Sequence, residues 1–82
     1  MTLDTITRAA SWGVTPPQLA LLRAIRHRIA ANGYSPSLRE MADDLGTSVN
    51  DVVGKLGRLR RDGFVTYSKG VARTVRVVEG RE

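Results

Sequence analysis

Three consecutive segments of the chain carry apolar residues at helical spacing. The first, residues 15–33, opens with Thr15, Pro16 and Gln18, which supply an N-cap hydroxyl, a proline at the first helical position and a capping-box partner. Gly33 ends the segment, as glycine commonly does just past a helix. The pattern predicts a helix whose apolar face consists of Leu19, Leu21, Leu22, Ile25 and Ile29.

The second segment is shorter and spans residues 37–46. Ser37 and Glu40 have the spacing of a capping box, in which each side chain accepts a hydrogen bond from the other residue's backbone N–H. Gly46 stops the pattern and can take the left-handed conformation of a helix end. We predict a short amphipathic helix with its apolar face made of Leu38, Met41, Ala42 and Leu45.

A third helix is predicted almost at once, over residues 48–62, with Ser48 or Thr47 as its N-cap. Asp51 in its first turn complements the positive end of the helix dipole, and Gly63 follows its last turn. Its apolar stripe is Val49, Val52, Val53, Leu56 and Leu59. Its outward residues are Asn50, Asp51, Gly54, Lys55, Arg58 and Arg61.

After Gly63 the apolar period changes from that of a helix to that of a strand. Residues 64–67 and 73–78 are rich in β-branched and aromatic side chains, and residues 68–72 separate them. This pattern predicts a hairpin with one face on the helices and a basic tip at Lys69. Three helices and a C-terminal two-stranded wing make a small α+β winged helix-turn-helix domain over residues 15–78.

The two ends of the chain are less informative. Residues 1–14 have a rough helical spacing, so they form either a short amphipathic helix or a loose arm, and an arm would let Arg8 enter a DNA minor groove. Trp12 is the only tryptophan, and it is a candidate contact to a partner or to a second copy; the alternative is that it folds back onto the domain. Residues 79–82 are expected to be a tail.

Composition narrows the classes of function. A chain of 82 residues holds one small core, and its formal charge of +5 favours an anionic partner, either nucleic acid or an acidic membrane surface. There is no apolar run long enough to span a bilayer and no visible signal peptide, so a cytoplasmic location is expected. With no cysteine, one histidine and no nucleophile–base pair, we expect no metal, no cofactor, no small-molecule substrate and no enzyme activity.

Residues 37–62 have the plan of a helix-turn-helix, whose second helix enters the DNA major groove. Ser48 and Asn50 can read base edges, and cations follow them where phosphates would lie. The alternative is a helical hairpin with solvated charges. The charge distribution favours DNA, because the first helix has one arginine against three carboxylates and the second has four cations against two carboxylates. The proposed phosphate contacts are Lys55, Arg58, Arg61, Lys69 and Arg73.

Five short segments in this order resemble the N-terminal DNA-binding domain of the LexA family of bacterial SOS repressors. They are V-T-P-P-Q at 14–18, G-Y-S-P-S-L-R-E-M-A-D-D-L-G at 33–46, S-V-N at 48–50, L-G-R-L-R-R-D-G at 56–63 and R-T-V-R-V-V at 73–78. The resemblance implies a winged helix-turn-helix that binds double-stranded DNA. It also implies base contacts from Ser48 and Asn50, and backbone contacts from Gln18, Arg61 and Arg73.

The sequence departs from the family in two respects. Asp51, Val53 and Gly54 replace residues that help to read the familiar CTGT half-site, so we do not expect that operator. The family also continues into a dimerising peptidase domain that these 82 residues do not contain, so we expect no self-cleavage. Gly54 is at the centre of the outward face, where it either allows close approach of DNA or a protein, or is tolerated drift.

The sequence therefore predicts a sequence-specific DNA-binding transcriptional regulator, with repression as the expected direction. The base-reading set is Ser48, Asn50, Asp51 and Gly54, and a homodimer on DNA or a protein partner would supply the second contact that one small domain lacks. The alternative is a winged-helix interaction module that acts on a regulator or polymerase without a DNA site of its own.

Overall fold

A computed structural model of the protein describes residues 5–78 and contains, within them, four helices and a two-stranded antiparallel sheet. The third and fourth helices form the helix-turn-helix, and the two strands form the wing. The elements in chain order are α1 Thr5–Trp12, α2 Pro16–Asn32, α3 Leu38–Leu45, α4 Val49–Arg61, β1 Val65–Thr66 and β2 Arg76–Val77.

The predicted capping boxes are confirmed at the N-termini of α2 and α3. The Thr15 hydroxyl accepts from the Gln18 N–H at 3.4 Å and the Gln18 carboxamide oxygen accepts from the Thr15 N–H at 3.1 Å. The Ser48 hydroxyl accepts from the Asp51 N–H at 3.1 Å, so Ser48 and not Thr47 caps α4. Gly46 ends α3 at φ +64°, a conformation that makes the short turn into α4 possible.

One contiguous core lies between the helices and the inner face of the wing. Alternation in the hairpin is as predicted, since Val65 and Val75 are buried whereas Thr66 and Arg76 are exposed. The buried apolar side chains are Ala9, Val14, Leu21, Leu22, Ile25, Met41, Ala42, Val52, Leu56, Leu59, Phe64, Val65 and Val75.

Two residues assigned to the apolar faces are exposed. Val53 is 47% exposed and Leu38 is 38% exposed. The direction of the α4 core face is set by Val52, Leu56 and Leu59, and Val53 is turned about 100° away from Val52. Leu38 is the first residue of α3, at the rim of the core. The prediction that both residues belong to the core is therefore wrong.

The strands of the wing are shorter than predicted. Val65 pairs with Val77 and Thr66 pairs with Arg76, and pairing stops there. Arg73 has a left-handed φ of +58°, and the Thr74 hydroxyl accepts from the Ser68 N–H at 3.0 Å, so side-chain bonds replace the ladder.

Residues 5–12 form a helix that packs on the core. Ala9 is fully buried, and the Thr5 hydroxyl donates to the Val78 carbonyl oxygen at 2.6 Å. The Arg8 guanidinium lies 5.1 Å from the centre of the Phe64 ring, so the expectation of a minor-groove arm is wrong. Trp12 is 69% exposed, which excludes the alternative that it folds back onto the domain.

Residues 1–4 and 79–82 are outside the described residues, and so is the predicted tail. No helix within residues 5–78 combines the length and the apolar character that a bilayer crossing requires.

Candidate nucleic-acid interface

A shallow groove separates the N-terminus of α2 from the outer face of α4, with a volume of about 560 Å³. It brings Gln18, predicted as a backbone contact, beside residues of the candidate recognition helix. The Gln18 oxygen is used in the capping box, whereas its amide group has no acceptor among the described residues. The α4 residues that line this groove are Asn50, Asp51, Gly54, Lys55 and Arg58.

The outer face of α4 also contains an ion pair between two predicted DNA contacts. The Lys55 ammonium donates to the Asp51 carboxylate, one helical turn away, and the Thr47 hydroxyl donates to the same carboxylate at 3.0 Å. These two hydrogen bonds, the one from Lys55 first, hold the pKa of Asp51 below its ordinary value. Part of the Lys55 charge is therefore compensated within the protein.

Other cations are available to an external anion. Arg58 on α4 and Lys69 on the wing tip are exposed and have no carboxylate partner in the part of the chain that the structure describes. Arg61 lies 3.6 Å from Asp62 and stays largely exposed. Arg58 lines the groove that Gln18 shares with α4, whereas Arg61 and Lys69 lie outside it.

Arg73 has a different environment from the one predicted. Its guanidinium donates to the Glu40 carboxylate at 2.9 and 3.3 Å and to the Ser35 carbonyl oxygen at 3.1 Å, and it lies 5.2 Å from the centre of the Tyr34 ring. The side chain therefore fastens the wing to the N-terminus of α3. The hydrogen bond from Arg73 is the first cause that lowers the pKa of Glu40.

A second pair that the sequence analysis missed joins α2 to α3. The Arg28 guanidinium donates to both Asp44 oxygens, at 2.6 and 2.8 Å, and lies 3.7 Å from Glu40. This pair raises the pKa of Arg28 and lowers that of Asp44. In the sequence, Arg28 flanks the apolar stripe of α2. That position alone does not indicate which carboxylate it would pair with.

Glycines interrupt the exposed side of α4. A Cβ atom added at Gly54 or at Gly57 would meet no atom within 4 Å. Neither residue is therefore required by packing within the protein, although each costs a helix about 1 kcal/mol relative to alanine.

A second groove, of about 570 Å³, lies between α3, α4 and the wing. Three of its lining residues are large apolar side chains with substantial exposure: Leu38, Val53 and Val71. The cations that line this groove are Arg39, Lys69 and Arg73, and none of the described residues that line it is Asp or Glu.

Within residues 5–78, no three His, Cys, Asp or Glu side chains are grouped as metal ligands. The order of elements and the basic outer face of α4 define a winged helix-turn-helix domain.

Residues 11–74 match the family model of the LexA DNA binding domain, and the chain belongs to that family. It is 35% identical to a LexA repressor of Mycobacterium leprae over 78 residues, which are 94% of this chain and 33% of that protein. It is 37% identical over 71 residues to a LexA repressor of Mycolicibacterium smegmatis, covering 85% of this chain and 29% of that protein. The chain thus spans about a third of the length of these curated relatives.

Proposed function

We propose that the protein is a sequence-specific regulator of transcription, acting as a repressor in the cytoplasm, that inserts α4 into the major groove of double-stranded DNA. One observation carries this proposal: Gln18 from α2 lines the same open groove as Asn50, Gly54 and Arg58. Base-reading and backbone-contacting groups from two elements thus face one surface, as docking of a helix-turn-helix requires.

The residues that read the bases are at the start of α4 and in its first turns. Asn50 is exposed and can bond the N6 and N7 atoms of an adenine, whereas the Asp51 carboxylate can accept from a cytosine N4 amine. The Ser48 hydroxyl accepts from the Asp51 N–H and keeps its own proton to donate to a base. Gly54 lets the helix backbone approach the base edges.

Backbone contacts flank these residues. Arg58, Arg61 and Lys69 hold phosphates, and the Gln18 amide donates to one at the start of α2. Lys55 contributes less than a free lysine, because one of its donors is on Asp51. Arg73 acts mainly by positioning the wing, because both its terminal nitrogens bond Glu40.

A homodimer on a two-part site is the assembly that this function needs, because one domain of this size buries only about 600–1,000 Å² on DNA. The exposed Trp12 on α1 is a candidate for the contact between copies.

The test is binding of the 82-residue chain to a random duplex library at two salt concentrations, followed by sequencing of the retained DNA. We expect a two-part site whose affinity falls steeply with salt. Asn50→Ala should relax preference at one base position by about 1–3 kcal/mol, whereas Arg61→Ala should weaken all sequences alike and reduce the salt slope by about one. Identical behaviour of the two variants would contradict the major-groove model.

The second candidate function is a protein-interaction module, and the exposure of Trp12 is the observation that favours it. It predicts no enrichment from the library, together with partner binding that is insensitive to salt and is lost in Trp12→Ala.

A further inference from the structure

Val53 is an apolar side chain on α4 that the rest of the protein covers only in part. It is 47% exposed, whereas its neighbour Val52 is fully buried. Scattered exposed valines are common, but this one lines an open groove with Leu38 and Val71, which are 38% and 58% exposed. The three form a small apolar surface between the candidate recognition helix and the wing.

The charged residues around this surface favour a partner that carries negative charges on either side of an apolar group. The groove is lined by Arg39 and Lys69, and none of its described lining residues is acidic. In the DNA major groove the C5 methyl group of thymine is the apolar feature, and phosphates flank it on both sides. A groove that is lined by both apolar and cationic side chains matches that arrangement.

The spacing between Asn50 and Val53 on α4 is comparable with the spacing between base pairs. Residues three apart lie on neighbouring parts of a helix surface, and the rise between them is about 4.5 Å. Successive base pairs are about 3.4 Å apart along the DNA axis. If Asn50 contacts one base pair, Val53 is within reach of an adjacent one.

We propose that Val53 determines specificity by packing against the methyl group of a thymine in the base pair next to the one that Asn50 reads. The proposal rests on the proposed function of α4 in the major groove. The site would then prefer thymine through contact with its methyl group, in addition to any hydrogen bonds to the bases.

The experiment uses the duplex enriched by the unaltered chain, with each thymine replaced in turn by uracil, which removes only the methyl group. Binding is measured at one salt concentration for the unaltered chain, for Val53→Ala and for Val71→Ala, which tests whether the wing valine of the same surface makes the contact instead. We expect one uracil position to weaken binding of the unaltered chain and of Val71→Ala roughly fourfold, the loss expected for one buried methyl group. Val53→Ala should bind the thymine and uracil duplexes equally.

Two results would overturn the proposal and leave the proposed function standing. One is an enriched, salt-sensitive site at which no uracil substitution matters. The other is a uracil effect that persists in Val53→Ala, in particular one that disappears in Val71→Ala, which would assign the methyl contact to the wing. Absence of any enriched sequence would overturn the proposed function as well.

Discussion

The guanidinium of Arg73 and the carboxylate of Glu40 form a two-point contact, with Nη1 2.9 Å from Oε1 and Nη2 3.3 Å from Oε2. The same Oε1 atom accepts from the Ser37 N–H at 2.9 Å as part of the α3 capping box. One carboxylate therefore caps the first helix of the helix-turn-helix and anchors the wing. The position of the wing is coupled to the start of α3.

This coupling predicts that attachment of the wing depends on pH. The pKa of Glu40 is held below its ordinary 4.5, so its contribution to the folded state is present above that pH and is lost as pH falls through the lowered value. We expect the backbone NMR signals of the wing, residues 68–75, to shift as pH falls below about 4.5 while the core signals stay constant.

The matched variants for this prediction are Arg73→Ala and Arg76→Ala. Arg76 is an exposed arginine on the same hairpin with no ion-pair partner among the described residues. Arg73→Ala should shift the wing signals at neutral pH and remove their dependence on acid, and Arg76→Ala should do neither. Equal behaviour of the two would show that the contact with Glu40 does not position the wing.

Gly54→Ala is expected to separate stability from DNA binding. The added methyl group meets no protein atom within 4 Å, so replacing this helix glycine should stabilise the fold by about 0.5–1 kcal/mol in urea unfolding. The same methyl group would stand between α4 and the bases, so affinity for the enriched duplex should fall.

Gly57→Ala is the control for that prediction, since it is equally open and one turn further along α4. It should give a similar gain in stability with a smaller loss of affinity. Unchanged affinity in Gly54→Ala would mean that Gly54 is not at the DNA surface.

The core face of α4 can be tested with Leu56→Ala and Val53→Ala. Leu56 is 2% exposed, and removing its side chain from the core should lower the free energy of unfolding by about 2–5 kcal/mol. Val53 is half exposed, and its substitution should change that free energy by no more than about 0.5 kcal/mol. A large loss in Val53→Ala would contradict its exposure in the structure.

Trp12 offers a direct optical test of the candidate contact. It is the only tryptophan, so its fluorescence should be readily quenched by acrylamide in the dilute chain. If the second copy on DNA covers it, binding of a two-part site should shift its emission to shorter wavelength and protect it from quenching. A half-site duplex is the control and should do neither, whereas protection on the half-site would place Trp12 against DNA.

The sequence determined the three helices α2, α3 and α4 and the presence of the hairpin. Capping boxes at Thr15–Gln18 and Ser37–Glu40, together with glycine stops at Gly33 and Gly46, are local signals, because the bonds involved join residues within a few positions of each other. The shift from helical to alternating spacing after Gly63 likewise predicted the hairpin. These signals were sufficient for the fold class and placed Asn50, Gly54, Arg58 and Arg61 on the exposed side of α4.

Tertiary structure decided which partners those residues meet. Arg73 and Glu40 are 33 positions apart, and Arg28 and Asp44 are 16 apart, so no spacing rule could pair them. The exposure of Val53 depended on how α4 is rotated against the rest of the core, a quantity fixed by packing of several elements together. Local chemistry sets where helices begin and end, whereas burial and ion pairing depend on distances that exist only after the chain has folded.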